Sequence, residues 1–185
     1  LDSNATTRVD PRVLEAMLPF ITEQFANPSS SYTAGKSARD AIEKARNAVA
    51  NLIHSGPSEL HFTSGGTEPL NAVLASSART HPRSRLIIGA TEHPAVAEPA
   101  KRWIKDGGNV SIAPVDTDGR IQLDALQQLL ALGDTSLVAI MWANNETGVI
   151  SPMREIVDLA HAAGARVPCD AVQAVGKIPV SVRDI

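Results

Sequence analysis

Cysteine is nearly absent from this sequence: its 185 residues include one, Cys169. A lone thiol excludes an internal disulfide framework and a multi-cysteine zinc site, and no other cluster suggests a metal. With no signal-peptide pattern at its head, the chain is expected in a reducing cytoplasm. Aromatic residues are scarce at 3 %, which leaves little for stacking nucleic-acid bases. An excess of positive charge is also missing. Lys and Arg number 17 against 20 Asp and Glu, a net charge of -3, so the electrostatic footprint of a nucleic-acid binder is lacking. No apolar run approaches the roughly 20 residues of a bilayer-spanning helix, which excludes a spanning segment from this sequence. What is present is 43 % hydrophobic and 20 % charged residues, enough to build one globular core. The chain opens at Leu1 rather than Met and stops at Ile185, just past the strand-like run IPVSV. A piece of a larger protein is therefore expected.

Periodicity divides the chain in two. Asp10 before Pro11 is a helix start, since Asp can cap free N–H groups and Pro suits the first turn. Val13, Leu14, Met17, Leu18 and Ile21 follow at helical spacing. After the turn-rich Asn27-Pro28-Ser29-Ser30-Ser31, a long helix is predicted from about Thr33 to Ile53, ending at Gly56-Pro57. Beyond it short apolar runs predict strands over Leu60 to Phe62, Arg85 to Ile88, Val110 to Val115, Leu137 to Ala143 and Arg166 to Pro168. Helical stretches lie between them: Glu68 to Ala78, Ala95 to Lys105, Leu123 to Leu132 and Met153 to Ala163. This alternation predicts the α/β class, a mostly parallel sheet between two helical layers.

Ligands of open α/β sheets bind beyond the carboxyl ends of the strands, so the strand-end residues carry the functional reading. Phe62-Thr63-Ser64-Gly65-Gly66-Thr67-Glu68 offers a close backbone approach, a hydroxyl and a helix N-terminus, the chemistry of a phosphate cradle. It is neither a Walker A loop nor GxGxxG, and alone it reads as an ordinary turn. Thr91-Glu92-His93 places an imidazole, Asn144-Asn145 places amides, and Cys169-Asp170-Ala171-Val172-Gln173 places a carboxylate with a glutamine three residues on. Each taken singly reads as a cap or a loop former. Together, on one sheet edge, they suit a planar phosphorylated heterocycle with a basic ring nitrogen. Pyridoxal 5′-phosphate has those demands.

The segments LDSNATTRVDPRV, NPSS, GKSARDAIEKAR, FTSGGTE, TEHPAV, NNETGVISP and CDAVQAVGKIPV resemble, in order and spacing, the N-terminal part of the cysteine desulfurases. These belong to the fold-type I, class V aminotransferase superfamily, and the resemblance covers essentially the whole chain. It implies that residues 1–185 form one partial pyridoxal-phosphate-binding large domain, with 1–30 as an N-terminal segment and the small C-terminal domain absent. It further implies that Gly66 and Thr67 hold the cofactor phosphate, and that His93 stacks on the ring and assists proton transfers. Asp170 would pair with the ring nitrogen and Gln173 would donate to the phenolate oxygen. Asn145 would contact that oxygen region and the substrate carboxylate. Glu92, Asn144 and Glu146 carry no direct role in this reading. The implied reaction converts L-cysteine to L-alanine, leaving sulfur as an enzyme persulfide for iron–sulfur scaffolds or other acceptors, in a homodimer.

In that family the lysine that anchors the cofactor, the sulfur-accepting cysteine and a substrate-binding arginine all come later in the chain. The fragment alone is therefore expected to be inactive. Lys177 reads as structural and Cys169 as a small buried residue turned from the site. Tyr32, Pro69, Leu70 and Ser151 depart from the family pattern without touching the cofactor residues. Two rival readings are another class V aminotransferase or lyase, and a non-catalytic remnant of the fold.

Overall fold

The computed structural model describes residues 3–185; the first two positions of the LDSNATTRVDPRV segment lie outside the described residues. The described chain falls into two compact units, 3–61 with Val180–Arg183, and Phe62–Pro179 with Asp184–Ile185.

The first unit is helical. Helix α1 spans Pro11–Thr22, with Pro11 in its first turn and the Asp10 side chain accepting from the Arg12 amide. Its apolar stripe is exposed: no residue of α1 is buried, and Ile21 is 63 % exposed. Helix α2 spans Thr33–Leu52, as its periodicity predicts. The NPSS turn packs against its start. A Cβ on Gly35 would stand 2.6 Å from the Ser30 carbonyl oxygen and 2.8 Å from that of Asn27, so the approach requires glycine. Ile53 accepts a hydrogen bond from the Val182 amide at 3.0 Å, and Arg46 donates to the Leu60 carbonyl at 2.6 Å.

The second unit is a parallel sheet between helices. Its order of elements is α3 (Thr67–Thr80), β1 (Arg85–Gly89), α4 (Pro94–Lys105), β2 (Asn109–Ala113), α5 (Leu123–Ala131), β3 (Thr135–Ala139) and α6 (Met153–Ala162). The strands lie in the order β2-β1-β3, with Ile88 beside Ile112 on one flank and Ala139 on the other. Strand alternation sends residues to two separate cores. Ile87 and Val138 pack with Leu126 and Leu130 of α5 and Ile156 and Ala160 of α6. Leu86, Ile88, Leu137 and Ala139 pack with Leu70 and Leu74 of α3 and Val96, Ala100 and Trp103 of α4. Helices thus cover both faces, as predicted.

Two of the predicted strands did not form. Leu60 to Phe62 is irregular chain after a short 3₁₀ turn at Pro57–Glu59, because no neighbouring strand pairs with it among the described residues. Arg166 to Pro168 is parallel to β3 but makes a single bridge, Leu137 with Arg166. The Val138 amide donates to the Arg166 carbonyl at 2.9 Å and the Arg166 amide to that of Ser136 at 3.0 Å. Pro168 cannot donate, which limits the ladder there.

Helix α4 carries an internal proline, Pro99. Lacking an N–H, Pro99 cannot bond the carbonyl four residues back, that of Ala95. Asn71 of α3 fills the gap: its Nδ2 donates to the Ala95 carbonyl at 3.3 Å and to the Thr67 carbonyl at 2.9 Å. The other end of α4 is closed by the Trp103 indole, 5 % exposed, which lies against Gly108. A Cβ there would come within 1.5 Å of indole Cδ1.

Candidate active site

All the residues singled out as site candidates lie in the second unit: His93 follows β1, Asn145 follows β3, Gly66 and Thr67 open α3, and Asp170 and Gln173 follow the segment beside β3. Helix α3 begins with Gly66 at its N-cap and Thr67 in its first turn, and no side chain caps it. Glu68 instead turns back to Ser64, accepting from its amide at 2.8 Å and its hydroxyl at 2.7 Å. These bonds hold the Glu68 carboxyl below its ordinary range. Open space surrounds Gly65. A helix start with unclaimed amides, a glycine and a threonine hydroxyl suits an anion.

The turn after β1 carries His93, the N-cap of α4, whose Nδ1 accepts from the Ala95 amide at 3.1 Å. That bond makes Nδ1 the acceptor, so the neutral ring carries its hydrogen on Nε2. The capping role weighed for this residue is thus real, and it fixes the exposed imidazole at the strand tip. Beyond β3, Asn144 serves the loop: its Oδ1 accepts from the amides of Glu146 and Thr147, both at 2.9 Å, and its Nδ2 donates to the Thr91 carbonyl at 3.0 Å. Asn145 follows it, half-buried, at the start of a turn that closes at Gly148, φ +74°.

Asp170 is 8 % exposed and ends the segment that runs beside β3. Its Oδ1 accepts from the Val172 amide at 3.0 Å, and the Trp142 amide donates to its carbonyl at 2.8 Å. Val172 in turn meets α3: a Cβ on Gly66 would stand 2.7 Å from Val172 Cγ2. The uncapped start of α3 and the segment carrying Asp170 and Gln173 therefore adjoin. Gln173, half-buried, takes a hydrogen bond on Oε1 from Lys177 Nζ.

Neighbouring Asp170, the Cys169 thiol packs against the core of α5 and α6. Burial first, then the charges of Asp170 and Glu92, push its pKa up to about 12, so it is a poor nucleophile. The sequence assigns Glu92 no direct role, yet the structure encloses it among the strand tips. Its Oε1 accepts from the Met141 amide at 2.9 Å, and its Oε2 is buried without a hydrogen-bond partner. The signal that could have found it is Gly89 three positions earlier, where a Cβ would lie 2.6 Å from Oε1.

The buried carboxylate of Asp170 fits a cationic ring nitrogen, and the uncapped helix start beside it fits a phosphate. The residues present therefore suit pyridoxal 5′-phosphate. A family model for class-V aminotransferases matches residues 1–185. The chain belongs to that family. Among curated class-V relatives, it is 44 % identical over 186 residues to "Cysteine desulfurase NifS" of Azotobacter vinelandii, covering 100 % of this chain and 46 % of that protein. It is 46 % identical over 184 residues to "Cysteine desulfurase 2" of Trichormus variabilis, covering 99 % and 46 %. Of solved structures, a "NIFS-LIKE PROTEIN" superposes with a TM-score of 0.93 at 41 % identity, over 98 % of this chain and 50 % of that one. "SspA in complex with cysteine" gives 0.92 at 30 %, over 99 % and 53 %. The chain spans about half the length of the curated relatives it matches.

Proposed function

We propose that the protein carrying this chain is a pyridoxal-phosphate-dependent cysteine desulfurase, converting L-cysteine to L-alanine and passing the sulfur to an acceptor. The observation that carries the reading is the adjacency of an uncapped helix start, at Gly66 and Thr67, to the buried carboxylate of Asp170. The names of the relatives and the cysteine in the SspA structure support the substrate. The cofactor, when bound, supplies an electron sink for reactions at the substrate Cα.

The chain's own residues prepare for it. Amides of the first turn of α3 and the Thr67 hydroxyl hold the phosphate. Asp170 holds a proton at the ring nitrogen by stabilising the cationic form. His93, fixed through Nδ1, covers the ring and handles protons at Nε2. Gln173 donates to the phenolate oxygen, and Asn145 serves that region and the substrate carboxylate. The sulfur-accepting cysteine is not Cys169, whose thiol stays protonated. The reading puts the anchoring lysine elsewhere than at Lys177, which donates to Gln173. The reading includes a homodimer in the cytoplasm, delivery of sulfur to iron–sulfur scaffolds, and inactivity of the 185-residue chain alone.

The test has two arms. The full-length protein should release alanine and transferable sulfur from L-cysteine, and Asp170→Asn should cut that turnover by at least about 100-fold, as loss of a key electrostatic contact does. A transaminated product in place of alanine overturns desulfuration in favour of another class V activity. The 185-residue chain mixed with cofactor should yield no borohydride-fixable adduct, and an adduct at Lys177 overturns the structural role given to that lysine.

A further inference from the structure

Glu92 has no part in the chemistry above, yet it occupies the point where the tips of β1 and β3 meet the segment that ends at Asp170. It leaves β1 three residues after Gly89 and folds back beneath the tip, where the glycine leaves room for its Oε1. That oxygen takes the Met141 amide at 2.9 Å. One residue on, the Trp142 amide donates to the Asp170 carbonyl at 2.8 Å. One residue before Glu92, the Thr91 carbonyl takes Asn144 Nδ2 at 3.0 Å. The turn bearing His93, the loop bearing Asn145 and the segment bearing Asp170 are thus joined by three hydrogen bonds around one carboxyl.

The charge state of that carboxyl follows from its surroundings. Oε2 is sealed from solvent and unpartnered, so a full charge on the group would be poorly solvated. Burial raises its pKa most, the Met141 amide opposes, and the charge of Asp170 raises it further, to about 8. The titratable groups facing it come from the 166–170 segment, namely Asp170 and the Cys169 thiol, which feels both carboxyls. From β1 and its turn come Gly89, Ala90 and Thr91, and from the chain just past β3 come Ile140, Met141 and Trp142, none of them charged. The ring of His93 is exposed and bonded to Ala95.

We propose that Glu92 is a positioning residue that acts through Met141 and Trp142 on Asp170: as a neutral acid it holds the tips of β1 and β3 in register with the segment that ends at Asp170. This rests on the reading that Asp170 serves the cofactor ring. A glutamine would reproduce the hydrogen bond but not the titration. An alanine would leave the Met141 amide without its partner, so the two variants separate the clamp from the charge.

The experiment uses the full-length protein, stripped of cofactor and labelled with ¹³C at glutamate side-chain carboxyls, with the Glu92 signal identified by its loss in Glu92→Gln. The expected midpoint lies near 8, and Asp170→Asn should move it down, toward the ordinary carboxylate range. Cofactor affinity, read by protein fluorescence at neutral pH, should change less than about 3-fold in Glu92→Gln and weaken at least about 10-fold in Glu92→Ala, as unpairing a buried amide implies. A Glu92 signal that titrates as an ordinary carboxylate overturns the proposal. So does a midpoint blind to Asp170→Asn, or equal loss of affinity in both variants. If Glu92→Ala does not fold, the two titrations decide. An Asp170→Asn protein whose cofactor affinity is unchanged overturns the role of Asp170 instead, while the titration of Glu92 still reads the tie between the carboxyls.

Discussion

Helices α1 and α4 have nearly the same local grammar and opposite fates. Each has 12 residues, a capping side chain that accepts from the amide two positions on, proline in the first turn and a second proline inside. Each has an apolar stripe at helical spacing. Yet α4 buries Ala95, Val96, Ala100 and Trp103 against the sheet, and α1 buries nothing. Caps and periodicity specify that a helix forms and which face is apolar. Whether that face gains from burial depends on what the rest of the chain puts opposite it.

The sharpest way to break the comparison is to remove the apolar anchor from each helix. Trp103→Ala should destabilise the second unit by about 3–5 kcal/mol in urea denaturation, whereas Leu14→Ala in α1 should stay within about 0.5 kcal/mol. Equal effects would show that α1 is packed as firmly as α4. The internal prolines give the next largest difference. Asn71→Ala should cost about 1–3 kcal/mol by leaving the Ala95 carbonyl unpaired. Most of that cost should vanish in a Pro99→Ala background, where residue 99 regains an N–H, and a double-mutant cycle measures the coupling.

The carboxyls at the two helix entrances differ in sign. Asp10 is exposed and held below its usual range by its side-chain and backbone hydrogen bonds to Arg12. Its contribution is present at neutral pH and is lost as pH falls through that lowered value. Glu92 runs the other way. Between its ordinary value of 4.5 and about 8 the folded state keeps a proton that the unfolded chain has released. Stability should fall by roughly 1.4 kcal/mol per pH unit across that window and level off above it. Denaturation curves taken from pH 5 to 8 should show the slope in the wild type and lose it in Glu92→Gln. A modest effect is expected of the cap: His93→Ala should cost about 1 kcal/mol, measured at a pH where Glu92 is neutral.

The sequence carries most of the helices because their signals are local: a cap, a proline in the first turn, a period near 3.6. Strand signals are incomplete by nature, since a strand exists only where another pairs with it. Leu60 to Phe62 and Arg166 to Pro168 have strand-like composition, but the first lacks a ladder among the described residues and the second has one bridge. The site was legible in part. Gly66, Thr67 and Asp170 read singly as a turn and a cap, and become candidates only in combination with one another and with the family resemblance. Glu92 does not, since burial of its carboxyl depends on Gly89, Met141 and Asp170, which are scattered over 82 positions. A charge beside a histidine in a turn looks like surface until the neighbouring strands are laid next to it.

The amide of Asn71 has a consequence for geometry at the pocket. One of its contacts is the first residue of α3, which the proposed reading assigns to the phosphate. The other lies two residues past the imidazole assigned to the ring. In that reading, one side chain would set the distance between the helix start assigned to the phosphate and the imidazole assigned to the ring. Shortening Asn71 should loosen the gauge without altering any group that would meet the ligand.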